Sequence, residues 1–216
     1  MNYKGLLFDL DGVIVDTAKY HYIAWKEIAD ELGIHFSIQD NEKLKGVSRN
    51  RSFEIVLEIG GVTMIKNQQE EYCTRKNDIY LSYIKKLNED EILPGVKEFL
   101  IDAKEKGYKI ALGSASKNAT FILDNLKLTE LFDELIDGTK VSIAKPDPEV
   151  FIKGAQALEL AYQDCIVFED AVAGIEAAHR AGMKAIGIGS KKLLPEADIN
   201  IDGFVDITIE KLLEQL

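Results

Sequence analysis

Residues 5–8, 109–113, 165–168 and 184–188 are short runs, apolar along nearly their whole length rather than at alternate positions. A strand with one wet face alternates. A strand apolar on both faces is covered on both, which points to a parallel sheet between helical layers. Residues 133–136 and 204–207 are weaker candidates for the same sheet. Helical patterns at 95–105, 118–126, 148–158 and 174–181 separate the later runs. Strands alternating with helices of this length predict an α/β fold with a parallel sheet and helices on both faces. Leu93-Pro94-Gly95 marks a helix start, and Gly107 and Gly182 lie just past helices, where a left-handed cap is favoured.

The alternation fails between residues 17 and 88. There the patterns at 17–32, 50–59 and 66–87 are helical, with Thr17 a candidate N-cap and Gly33 a C-terminal stop. This predicts a helical cap domain, 17–88, inserted after the first strand of a core formed by 1–16 and 89–216. The cap carries 11 basic and 10 acidic residues, net +1, and the remainder 15 and 27, net −12. A relatively basic cap and an acidic core suit an anionic ligand.

The whole chain, at net −11, is poorly suited to nucleic acid or an anionic membrane surface. Cys73 and Cys165 form no C-x-x-C pair, so neither structural zinc nor a disulfide is expected. The first residues lack a signal-peptide apolar run, and no stretch is long enough to span a membrane. The expectation is a cytoplasmic monomer.

In open α/β sheets, ligands sit beyond the carboxyl ends of the strands. The first strand delivers Asp9, Asp11 and Gly12 there; the second delivers 113–118 (GSASKN); a loop brings Lys145 in AKPDP; the fourth delivers Glu169 and Asp170. Each group alone has an ordinary explanation as a turn, a helix cap or a surface charge. Together they converge on one edge and share one chemistry. Carboxylates with open positions suit Mg²⁺. An aspartate beside the ion can attack phosphorus, and a second carboxylate two residues on can pass a proton. Ser114 and the N–H groups after it can hold phosphate oxygens, and Lys145 can neutralise developing charge.

FDLDGVIVDT, GSAS, AKPDP and VFED, in this order and spacing, resemble the four motifs of the haloacid dehalogenase superfamily, and the match spans the chain. The resemblance implies a Rossmann-like core of that type, Asp9 as phosphoryl-accepting nucleophile and Asp11 as general acid/base. Ser114 and Lys145 would bind phosphate. Mg²⁺ would be held by Asp9, the Asp11 carbonyl and Asp170, with Glu169 in or beside the shell.

The cap must decide between water and a sugar as phosphoryl acceptor. His21 and Trp25 lie one turn apart on a helix face, suited to a sugar ring, although Trp25 alone is better explained as cap core. In LKGVSR and the residues after it, Arg49 offers a fork for a phosphate that is not transferred. TRKND puts Arg75 and Lys76 on a long helix, where an exposed face is the alternative.

TAKYHYIAW, LKGVSR, TRKND and SASKN resemble the β-phosphoglucomutase family. This resemblance implies interconversion of β-D-glucose 1-phosphate and β-D-glucose 6-phosphate through β-D-glucose 1,6-bisphosphate. Thr17 would lie at the hinge and His21 would position Asp11. Trp25, Lys45, Gly46, Val47, Ser48, Arg49, Ser52 and Lys76 would contact substrate, together with Ala115, Ser116 and Asn118. A Mg²⁺-dependent sugar phosphate phosphatase on the same fold is the alternative, and a catalytically idle binding protein a more distant one.

Overall fold

The computed structural model describes residues 3–44 and 47–216, so Lys45 and Gly46 lie outside the described residues. The chain forms two compact units, 1–16 with 88–216, and 17–87.

The larger unit is built on six parallel strands: β1 (Gly5–Phe8), β2 (Lys109–Gly113), β3 (Glu134–Ile136), β4 (Cys165–Glu169), β5 (Lys184–Ile188) and β6 (Ile199–Ile201). Their order is β3-β2-β1-β4-β5-β6, with Leu7 opposite Ala111 on one side and Val167 on the other. β1 is therefore interior, and its four residues are all buried, which is why it is apolar on both faces.

Side-chain alternation splits the core. Leu7 faces a cluster with Val150, Phe151 and Ala155 of α7 (Glu149–Ala157) and Ile175 and Ala178 of α8 (Val172–Arg180). Phe8 faces the other layer, stacked on Phe168 at 4.5 Å and edge-on to Phe99 of α5 (Val96–Glu105) at 6.2 Å. Aromatic side chains bury 150–250 Å² each, so this cluster is a principal source of core stability. Two further α-helices of this unit are α6 (Ala119–Asn125) and α9 (Ile209–Leu213).

Two expectations need correction. Residues 204–207 are not a strand; the edge strand is Ile199–Ile201. Phe204 is apolar because it packs into the phenylalanine cluster, 5.0 Å from Phe99. Asp206, at φ +59°, turns the chain out of the extended region. Thr17 precedes the first helix but makes no side-chain cap: its backbone, at φ −96° and ψ 0°, is not extended, and its hydroxyl accepts from Tyr80 Oη at 3.2 Å.

The smaller unit contains α1 (Ala18–Glu31), α2 (Ile38–Glu42), α3 (Arg49–Gly60) and α4 (Lys66–Ile84). Gly33 and Gly61, with φ +70° and +63°, end α1 and α3 in the left-handed region. Its core gathers Trp25, Ile28, Phe36, Phe53, Val56 and Cys73.

The two ends of this inserted segment leave the larger unit side by side. Val15 bridges Ile92 in antiparallel fashion, and Leu93 N donates to Ile14 O at 2.9 Å. Among the described residues, no helix is long and apolar enough to cross a membrane.

Candidate active site

The end of β1 turns sharply. Gly12, at φ +77°, donates to Val15 O at 2.9 Å, and a Cβ there would lie 2.2 Å from Asp170 Oδ2. Glycine is required at this position by both its backbone angle and the approach of the carboxylate. Asp9 N donates to Phe168 O at 3.0 Å, which fixes the backbone of Asp9 against the end of β4.

Lys145 is the centre of the arrangement. Its Nζ lies 2.6 Å from Asp9 Oδ1 and 2.6 Å from Glu169 Oε1, and 4.7 Å from the centre of the Phe151 ring. The other Glu169 oxygen accepts from Ala171 N at 2.9 Å. Glu169 also presses on α8 so closely that a Cβ on Gly174 would sit 1.9 Å from its carboxyl carbon. Lys145 and Glu169 are buried and Asp9 nearly so. A lysine in such a place keeps its charge only with partners. Burial works against the ammonium, but the Asp9 and Glu169 carboxylates outweigh it and raise its pKa above the ordinary lysine value.

The carboxylates outnumber the lysine. Asp9, Glu169 and Asp170 offer oxygens that all lie within 4.8 Å of one another. Burial pushes the Glu169 carboxyl up to about 7; Lys145 pulls it down, and Asp9 and Asp170 add to the rise. One ammonium does not neutralise this edge. A set of hard oxygen donors with surplus negative charge fits a divalent cation such as Mg²⁺. Both Glu169 oxygens already have protein partners, Lys145 Nζ on one and Ala171 N on the other.

Beside β1, the loop after β2 folds over itself. Ser114, buried, accepts from Ser116 N at 3.1 Å, and Ser116 Oγ accepts from Asn118 N at 3.2 Å. Gly138, after β3, donates to Ser116 O at 3.1 Å, and a Cβ on it would lie 2.2 Å from Ala115 O. Asp137 accepts from Thr120 Oγ1 at 3.1 Å and Thr139 N at 2.9 Å, tying this turn to α6. Neither Asp137 nor Glu149, which grips the loop leading to Lys145, stands out by sequence motif. Their signal is only a Thr two positions after an Asp and an acid at a helix start.

Within the smaller unit, His21, Trp25 and Lys76 come together. Lys76 is buried, with Nζ 2.7 Å from His21 Nδ1 and 5.0 and 4.6 Å from the ring centres of Trp25 and Tyr80. The ammonium can only donate, so Nδ1 accepts and His21 carries its proton on Nε2. Burial first, then Lys76 and Arg49, hold the His21 pKa well below its ordinary value. Arg49 donates from Nη2 to Asn77 Oδ1 at 2.7 Å. Ser48 caps α3, its hydroxyl accepting from Arg51 N at 3.3 Å, and Ser52 is buried one turn later.

Trp25 is a packing residue rather than an open ring platform: it is 1% exposed and stacked on Phe53 at 5.7 Å. Arg75, adjacent to Lys76 in sequence, points away into a surface pair with Glu31. One residue of TRKND therefore faces inward and its neighbour outward, as a 100° helical step requires.

Residues 3–182 match the haloacid dehalogenase-like hydrolase family model. The β-phosphoglucomutase of Bacillus subtilis is 42% identical, across 98% of this chain and 95% of that protein. The crystal structure of β-phosphoglucomutase from Clostridium difficile superposes with a TM-score of 0.95 at 39% identity, across 99% of this chain and 96% of that one. A fructose-1-phosphate phosphatase of Escherichia coli is 31% identical, across 86% of this chain and 96% of that protein. The chain belongs to the haloacid dehalogenase-like hydrolase family.

Proposed function

We propose that the chain is a β-phosphoglucomutase in activity, interconverting β-D-glucose 1-phosphate and β-D-glucose 6-phosphate through β-D-glucose 1,6-bisphosphate. The near full-length 42% identity to the B. subtilis enzyme carries this reading. The clustering of Asp9, Lys145, Glu169 and Asp170 supports it.

In this reading an Asp9 oxygen attacks phosphorus, and the bond from phosphorus to the sugar oxygen breaks. Asp11 gives its proton to the departing oxygen. In the reverse step a sugar hydroxyl loses its proton to Asp11 and attacks the aspartyl phosphate, restoring the Asp9 carboxylate. Lys145 and Ser114, with the amides of Ala115 and Ser116, stabilise the phosphoryl oxygens. Asp9, the Asp11 carbonyl and Asp170 would hold Mg²⁺, which supplies further positive charge against the phosphoryl group. Glu169 serves mainly to hold Lys145.

To the smaller unit we assign the choice of acceptor. Arg49 binds the phosphate that is not transferred, and Lys76, held by His21, contributes a second positive charge. Val47, Ser48, Ser52 and Asn118 remain proposed contacts, as does Thr17 at the hinge. The setting proposed is a cytoplasmic enzyme of sugar phosphates.

The test supplies Mg²⁺, β-D-glucose 1-phosphate and a trace of the bisphosphate, and follows glucose 6-phosphate and free phosphate together. Isomer formation far faster than phosphate release is expected. Steady phosphate release without isomer would make the chain a phosphatase and overturn the assignment of the smaller unit.

A further inference from the structure

Lys145 sits in a loop with no regular structure, yet its ammonium is placed against two carboxylates at once. What fixes the loop is visible on its far side. Glu149, the first residue of α7, accepts from Ser142 N at 2.8 Å and Ser142 Oγ at 2.9 Å, and from Ile143 N at 2.7 Å, all through Oε2. Asp147 N donates to Ala144 O at 3.1 Å, and Asp147 Oδ1 in turn accepts from Glu149 N at 2.9 Å. The segment entering Lys145 and the segment leaving it are thus both fastened to the start of one helix. That helix also brings Phe151 beneath the ammonium.

We propose that Glu149 is a positioning residue for phosphoryl transfer, setting the 142–145 loop so that Lys145 reaches Asp9 and Glu169 together. This deepens the function proposed above and rests on it. Backbone N–H groups aimed at a carboxylate form strong, directional bonds, and three donors on one oxygen leave the loop little freedom. Lys153 holds the other Glu149 oxygen at 2.6 Å, and burial is outweighed by these partners, so the group stays ionised down to about pH 2.

A double-mutant cycle on the full chain tests this, reading the single-turnover rate of aspartyl phosphate formation from acetyl phosphate with Mg²⁺. Lys145→Ala is expected to slow the step by about 10²–10³-fold. Glu149→Ala should slow it by about 10–100-fold, as a small displacement of a catalytic group does. In the Lys145→Ala background, Glu149→Ala should change the rate by less than about twofold, because its effect runs through the missing ammonium. Glu149→Gln, which keeps an acceptor oxygen, should recover most of the rate and covers the case in which the alanine variant does not fold. Lys153→Ala, which removes the helical ion pair but not the loop bonds, should leave the rate near wild type.

Losses that multiply in the double variant would overturn the inference. So would a Lys153→Ala variant as slow as Glu149→Ala, or a Glu149→Ala variant as fast as wild type. A Lys145→Ala enzyme of normal rate would overturn the proposed chemistry itself, and the inference with it.

Discussion

Each of the two compact units buries a lysine, and they do so in opposite ways. Lys145, 3% exposed, is held between the carboxylates of Asp9 and Glu169. Lys76, 2% exposed, meets the neutral imidazole of His21 and the faces of Trp25 and Tyr80. In the first case two carboxylates more than offset the one ammonium, and the lysine is fixed between them. In the second, an imidazole nitrogen and two ring faces adjoin the ammonium. Arg49 donates to the Asn77 amide; burial lowers its pKa, and Asp78 lies near enough to raise it against that effect.

The contrast breaks most visibly if Lys145 is removed. Lys145→Met leaves buried carboxylates without their cation, and loss of one member of a buried pair costs about 3–5 kcal/mol. Urea unfolding with a chelator present should show a loss of that size, and a loss below about 1 kcal/mol would mean that Asp9 and Glu169 do not depend on it.

A smaller effect is expected at Arg49. Arg49→Ala should lower kcat/KM for the sugar phosphate by the equivalent of about 1.5–3 kcal/mol, a charge-assisted hydrogen bond. Aspartyl phosphate formation from a small donor should stay within about twofold. Equal losses in both assays would remove the distinction between the two units.

The smallest effect tests whether His21 is neutral. Its folded pKa lies well below 6.5, so as pH falls through 6.5 the unfolded chain takes up a proton that the folded chain refuses. Stability contributed by His21 is therefore present above pH 6.5 and lost below it, by up to about 1.4 kcal/mol per pH unit. Urea titrations from pH 7 to 5 should show a shallower decline in His21→Gln; an unchanged slope would show that His21 protonates freely in the fold.

The interior of the sheet and the clustering of Asp9, Lys145, Glu169 and Asp170 at its carboxyl edge were readable because interior parallel strands are apolar throughout and end in groups with one shared chemistry. β1 is the clearest case: GLLF is buried to the last residue and runs straight into Asp9. One edge of the sheet was readable at 133–136, and the other was not. Ile199–Ile201 is three residues long, too short to show a period, while the equally apolar neighbourhood of Phe204 owes its character to ring packing. In the smaller unit, Lys76 and Arg75 are adjacent and chemically alike; only the packing of α4 decides which is buried. α2 had a readable signal in Ser37 and Asp40, which form a capping box. The contacts of Glu149 and Asp137 depend on backbone N–H groups brought near by loops, and no residue pattern encodes those.

The pairing of Ile14 with Leu93 and Val15 with Ile92 has a consequence for how the chain can change. A segment whose two ends are tied together behaves, for the sheet, as one closed loop. Loop-closure entropy grows only with the logarithm of length, so placing residues 17–87 where a short turn would serve costs the sheet about 2–3 kcal/mol at most, and less once the segment has folded with its ends in place. β1 can pair with β2 and β4 whatever sequence occupies the loop. A lineage could rewrite residues 17–87 while the strand that runs into Asp9 keeps its neighbours and its register.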